Sequence, residues 1–300
     1  MQFFSFFMAI NRFLQYLEFE KRYSAHTITA YKGDLEEFCL FIEHEYAQKD
    51  VITANYMQIR SWLVTLIENK LSPRTVTRKI STLKSFYHYL LCHQEISINP
   101  MTKILSPKTG KKLPVFVEKE KMETLLNGKE FDNDFEGIRD RLIIELLYCT
   151  GMRLSELINI KIKDVDVYNS TVKVLGKRNK ERIIPVLNHL NNLIKTYLES
   201  THPTPEENAS NLITTVKGKK VYPKLIYRTV NTYLSKITTA DKKSPHVLRH
   251  TFATHMLNNG SELNAIKELL GHANLSATQV YTHNTIEKLK SIYKQAHPKA

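Results

Sequence analysis

SPHVLRHTFATH, residues 244–255, is the stretch on which the reading of this chain turns. Ser244 stands at a helix N-cap position, and Pro245 fits the first turn, where its missing N–H costs nothing. His246 and Arg249, three apart, then share one face of the first turns, where both can meet one phosphate near a positive helix end. Gly260 reads as the stop of that helix, residues 262–270 as another helix, and His272 falls just past its end. Nine residues later comes Tyr281, in SATQVYTH. Singly, each has a bland explanation: a cap neighbour, a surface cation, a loop histidine, one of fifteen tyrosines. Their meaning depends on what accompanies them.

Upstream, helical patterns cover 118–127 and 136–149, the latter stopping at Thr150-Gly151, and Met152-Arg153-Leu154-Ser155-Glu156-Leu157 follows. Residues 171–175 (TVKVL) and 182–186 (RIIPV) alternate on either side of Gly176–Glu181, the pattern of a short β-hairpin. Four helices precede residue 95, at roughly 5–20, 24–47 and 54–69, with a last one opened by Ser72-Pro73. In that last helix Val76, Ile80, Leu83, Tyr87 and Leu90 form a core stripe. Arg74 and Arg78, flanked by Lys79, Ser81 and Ser85, are expected on the opposite face, a basic hydroxyl-bearing surface suited to phosphates or simply a solvated one. ISINPMTKILSPKTGKKLP then breaks all periodicity with three prolines and a run of lysines that includes Lys111 and Lys112. The expectation is a mainly α protein of two domains. A four-helix bundle occupies 1–96, a linker 97–114, and a mostly helical domain with a small antiparallel β-sheet 115–300.

Charge narrows the partners. Forty-three Lys and Arg against 30 Asp and Glu leave +13, which favours polyanions, nucleic acid ahead of an anionic membrane surface. The excess is local: residues 1–59 carry 5 basic and 8 acidic groups, residues 60–112 carry 10 basic and only Glu68 and Glu95. The nine glycines never fall within eight positions of one another, so Walker A, dinucleotide and nucleophile-elbow loops are excluded. Cysteines 39, 92 and 149 sit far apart in apolar runs, which argues for buried thiols in a reducing compartment rather than a disulfide framework or a zinc site. Asp132, Asp134, Glu136 and Gly137 imitate a calcium loop, but Ile143 occupies the position of the closing Glu. No apolar run of 18 residues is present, so the expectation is a cytoplasmic protein without membrane insertion.

Together the boxes resemble the tyrosine site-specific recombinases, whose signature is two arginines, a hairpin lysine, two histidines and a tyrosine nucleophile. TGMRLSEL is similar to the first-arginine box, LGKRNKER to the lysine box, and SPHVLRHTFATH and LLGHANLSATQVYTH to the remaining boxes, in matching order. The S-A-H-T helix start and the closing Q-A-H-P-K-A are most like the Xer branch. The resemblance implies an N-terminal core-binding (SAM-like) bundle and a C-terminal catalytic domain that uses Arg153, Lys177, His246, Arg249, His272 and the nucleophile Tyr281. Arg178 stands where the family commonly has the second glycine of its hairpin, which leaves the turn type open and Lys180 as a second claimant to the lysine role. Lys180 and Arg182 are further candidates for DNA contact, with Arg74, Arg78, Lys79, Lys111 and Lys112.

Two guanidiniums suit the charge that spreads over the phosphodiester in its transition state. The resemblance implies that His246 assists the tyrosine, that His272 hydrogen-bonds the phosphate, and that Lys177 protonates the departing 5′-hydroxyl. Neither metal nor cofactor is called for. The implied partners are a double-stranded DNA target and a synaptic tetramer, made of one chain or shared with a related recombinase, with an activating protein left open. Residues 285–295 (TIEKLKSIYKQ) carry an apolar stripe that, by the same resemblance, docks on a neighbouring subunit. Chromosome dimer resolution is the implied role; a mobile-element integrase or invertase, or a non-catalytic DNA clamp on the same fold, are the alternatives.

Overall fold

The computed structural model describes residues 2–107, 115–176, 180–200, 211–271, 291–293 and 295–298, with backbone only for 2–7. The chain divides into two compact units, 1–112 and 113–300.

In the first unit α1 (Gln2–Gln15) runs into a wider π-helical turn over Tyr16–Glu20. α2 (Ala25–Tyr46) begins where Ser24 Oγ accepts the Thr27 N–H at 3.3 Å. α3 (Tyr56–Glu68) opens on a reciprocal capping box: Asn55 Oδ1 accepts from Gln58 N–H and Gln58 Oε1 from Asn55 N–H. α4 (Pro73–Cys92) follows Ser72, which caps Thr75 N–H. Val76, Ile80, Leu83, Tyr87 and Leu90 are all buried, and with Phe13, Phe38 and Trp62 they build the core. Each such side chain contributes about 1.5–3 kcal/mol by leaving water.

One feature of α4 departs from expectation. Lys79, expected on the basic face, is 3% exposed. Its Nζ donates to Asp34 Oδ1 at 3.1 Å and to Glu37 Oε2 at 2.6 Å, 5.7 Å above the Trp62 ring. Asp34, itself buried in α2, also accepts from Arg78 and from Thr82 Oγ1. A buried carboxylate demands such partners, and residues 79, 80 and 83 flank one another on a helix, so Lys79 lies at the edge of the apolar stripe. Arg74 stays exposed, and Arg78 is half committed to Asp34. The expected linker also begins inside this unit, for Met101 and Ile104 are buried in its core. Cys92 is exposed rather than buried, Cys39 intermediate and Cys149 buried.

The second unit comprises α5 (Lys119–Asn127), α6 (Phe135–Thr150), α7 (Leu154–Asn159), β1 (Val165–Asp166), β2 (Thr171–Leu175), β3 (Glu181–Pro185), α8 (Asn188–Ser200), α9 (Pro223–Ile237), α10 (Pro245–Asn258) and α11 (Leu263–Leu270). The strands form an antiparallel sheet in the order β1-β2-β3, with Val172 opposite Ile184 and Val174 opposite Arg182. α6 is the axial helix, buried without interruption from Leu142 to Thr150 and packed on α8 and α10. Asp134 Oδ1 accepts the Gly137 N–H at 2.8 Å, so the acidic run that imitates a calcium loop serves as the N-cap of α6.

Of the C-terminal segment expected to dock on a neighbouring subunit, residues 285–290 and 294 lie outside the described residues. Residues 291–293 and 295–296 are helical, and Tyr293, Ala296 and His297 are buried in the core of this same unit. Tyr293 donates its hydroxyl to Cys149 O at 2.6 Å, and Asn259 Nδ2 donates to Ala296 O at 2.8 Å.

Candidate active site

α6 ends because Gly151 turns the chain with φ of +60°. Two residues later Arg153 opens α7, its N–H donating to Glu156 Oε2 at 2.7 Å and its Nη1 to Glu156 Oε1 at 2.8 Å. Glu156, three positions into the helix, therefore closes the turn and orients the arginine. Arg249 stands in the second turn of α10, 6% exposed, and donates from Nη1 to Gly151 O at 2.5 Å and from Nη2 to Leu270 O at 2.7 Å. Arg182 on β3 donates from Nη1 and Nη2 to the two oxygens of Glu156 at 2.8 and 2.9 Å, and from Nε to Leu269 O at 2.8 Å.

Arg182 was expected to contact DNA. It is 4% exposed instead, because strand alternation places it with Ile184 on the inward face. There it is the buried partner of Glu156.

The three arginines converge on one helix end. Arg182 meets Leu269 O, Arg249 meets Leu270 O, and Arg153 Nη2 meets Gly271 O at 3.2 Å. These are carbonyls of the last turn of α11 and of its C-cap Gly271, which have no partner within the helix and sit at its negative end. His272 follows directly. Arg153 and Arg182 share the Glu156 carboxylate while Arg249 bonds backbone carbonyls, so these four side chains together carry two positive charges in excess. Burial, reinforced by the charges of Arg153 and Arg182, draws the Arg249 guanidinium down to about 9, still charged at neutral pH. Burial would raise Glu156, but its bonds to Arg182 and Arg153 outweigh it and hold the carboxyl below its usual value. Such a cluster is short of negative charge and accommodates an anion.

His246, at the start of α10, is exposed and meets the His250 ring edge-on at 4.7 Å. Arg249 is buried one turn on, so one helix start supplies a wet imidazole and a dry guanidinium. Ser244 bounds α10 with its backbone, Val247 N–H donating to Ser244 O at 2.9 Å, and not with its side chain. Lys180 is exposed beside β3. Lys177, His272, Tyr281, Lys111 and Lys112 lie outside the described residues. Glu156 is the residue that the sequence reading passed over, although acidic three positions after a helix start is the capping-box signal.

The fold and this cluster together define a class. Residues 116–288 match the phage integrase family, and residues 10–94 match the phage integrase N-terminal SAM-like domain. The chain belongs to the phage integrase family, and it is a site-specific tyrosine recombinase, an enzyme that breaks and rejoins DNA by transesterification through a tyrosine. It is 43% identical over 288 residues to the tyrosine recombinase XerC of Staphylococcus epidermidis, and 41% identical to that of Staphylococcus aureus, covering 96% of each chain in both cases. In fold it is similar to the XerH site-specific recombinase in a post-cleavage complex with its difH substrate, with a TM-score of 0.70 at 24% identity over 88% of this chain and 78% of that one.

Proposed function

We propose that this enzyme is an Xer-type recombinase that resolves chromosome dimers at one duplex site in the cytoplasm, through a 3′-phosphotyrosyl intermediate and a Holliday junction. The observation that carries the chemistry is the convergence of Arg153, Arg182 and Arg249 on the C-terminal end of α11, with Glu156 bonded to the first two. Arg153 and Arg249 clamp the scissile phosphate and stabilise the charge on its non-bridging oxygens, the role that metal ions fill in phosphoryl-transfer enzymes built on carboxylates. Tyr281 attacks the phosphorus with assistance from His246, His272 hydrogen-bonds the phosphate, and Lys177 gives the leaving 5′-oxygen its proton. The phosphotyrosyl ester conserves the energy of the broken link, so no nucleotide is consumed. Assembly is a tetramer on two duplexes, built from this chain alone or with a related recombinase, and the Xer assignment rests on identity to XerC along nearly the whole chain.

Trapping the enzyme on genomic DNA and sequencing the covalent junctions tests both parts. Junctions clustered at one chromosomal locus fit dimer resolution; junctions at the ends of a mobile element would make it an integrase. Tyr281→Phe is expected to abolish the covalent band on a denaturing gel while leaving duplex binding nearly intact, and a persisting band would move the nucleophile elsewhere.

A further inference from the structure

Away from the arginine cluster, α6 and α8 bring three metal-ligating side chains together. Glu145 and Cys149, one turn apart on α6, are 1% and 0% exposed, and His189 at the start of α8 is partly open to solvent. His189 Nε2 lies 3.0 Å from Glu145 Oε2 and 3.9 Å from Cys149 Sγ, and all three donor atoms lie within 4.8 Å of one another. Tetrahedral zinc, with bonds of about 2.3 Å to sulfur and about 2.0–2.2 Å to nitrogen and oxygen, requires donor separations of about 3.6 Å (S to N) and about 3.4 Å (O to N). The two separations measured from His189 Nε2 differ from these by a few tenths of an ångström. We propose that Glu145, Cys149 and His189 form a binding site for a thiophilic divalent cation, zinc foremost, with the fourth position open on the His189 side.

The charges close. Binding releases the Cys149 thiol proton to solvent; thiolate and carboxylate offset the dication, and the one remaining positive charge is that of Arg141, which is partly open to solvent. Arg141 Nε donates to the other carboxylate oxygen, Glu145 Oε1, at 3.0 Å and holds Oε2 toward the imidazole, the orienting role that outer partners of metal ligands usually play. The ion would tie α8 to the last turn of α6, whose next residues are Thr150, Gly151, Met152 and Arg153. The ligands come from two helices forty residues apart, a spacing that no short motif reports.

Cobalt(II), a spectroscopic stand-in for zinc, is titrated into the full-length protein. The expected result is one ion per chain and a thiolate-to-cobalt charge-transfer band in the near ultraviolet, together with a higher melting midpoint in zinc. His189→Gln, at a partly exposed position, should remove the band and weaken zinc at least tenfold while retaining cleavage of a nicked duplex, which shows that the variant folds. Cys92→Ser is the control, since Cys92 Sγ lies 3.7 Å from His88 Nε2 at the surface. A band that survives His189→Gln, a band lost in Cys92→Ser, or no band in the unmodified protein would each overturn the proposal and leave an ion-paired cluster.

Discussion

Gly151 concentrates several demands in one residue. Its φ is +60°, its carbonyl receives Arg249, and a Cβ built on it would stand 2.5 Å from Phe252 Cδ1 and 2.7 Å from Leu270 Cδ2. Gly151→Ala should therefore cost about 1–2 kcal/mol for the left-handed backbone and about 1–3 kcal/mol for overpacking, read as a lower melting midpoint and reduced cleavage together. Glu156 makes a different prediction. Its folded value lies below the usual 4.5, so its contribution is complete above that value and is lost as the pH falls through the folded one. The melting midpoint should accordingly drop on acidification in the native protein and far less in Glu156→Gln, which already lacks the ion pair and should be less stable by about 3 kcal/mol at neutral pH. Arg153 and Arg249 were legible from their boxes. The pairing of Glu156 with Arg182 and the burial of Arg182 were not, because twenty-six residues separate the two and leave no local pattern.

Helices and the hairpin were legible wherever the sequence marks their ends: Ser24, Asn55 and Ser72 cap helices, Gly151 stops one, and TVKVL pairs with ERIIP. β1 is two residues long and has no periodicity to detect. Lys79 shows the other limit, since the helical phase that buries Ile80 also decides Lys79, and only the position of Asp34 on α2 shows that a charge is welcome there. The pairing of α2 with α4 rests on this cluster. Asp34→Ala should lower the stability of the N-terminal unit by on the order of 3 kcal/mol, because Lys79 is left buried with one partner fewer. Arg74→Ala should leave the melting midpoint unchanged and weaken duplex binding, as Arg74 is exposed on the same helix. Equal losses of stability in the two variants would refute the division of α4 into a structural flank and a binding flank.

For the molecule as a whole, +13 net charge with a dense basic stretch at 60–112 predicts binding dominated by phosphates. The association constant for duplex should fall with salt at a log–log slope of about −0.9 per phosphate neutralised, and a flat response would contradict it. Duplex should also raise the melting midpoint, most at low salt, where it binds most tightly. The arginines held on the carbonyls of α11 bear on recognition as well. Every phosphodiester of DNA presents the same two non-bridging oxygens, so in the proposed function a clamp fixed in advance by its own helix end would grip any of them alike. Such a chemical centre would be illiterate: able to cut but not to read. Discrimination between a target and a random duplex must fall to side chains that reach base edges or to the deformability of the DNA. Substitutions that relax site choice should accordingly map outside Arg153, Arg182, Glu156 and Arg249, and a selection for altered target sites is expected to return none of the four.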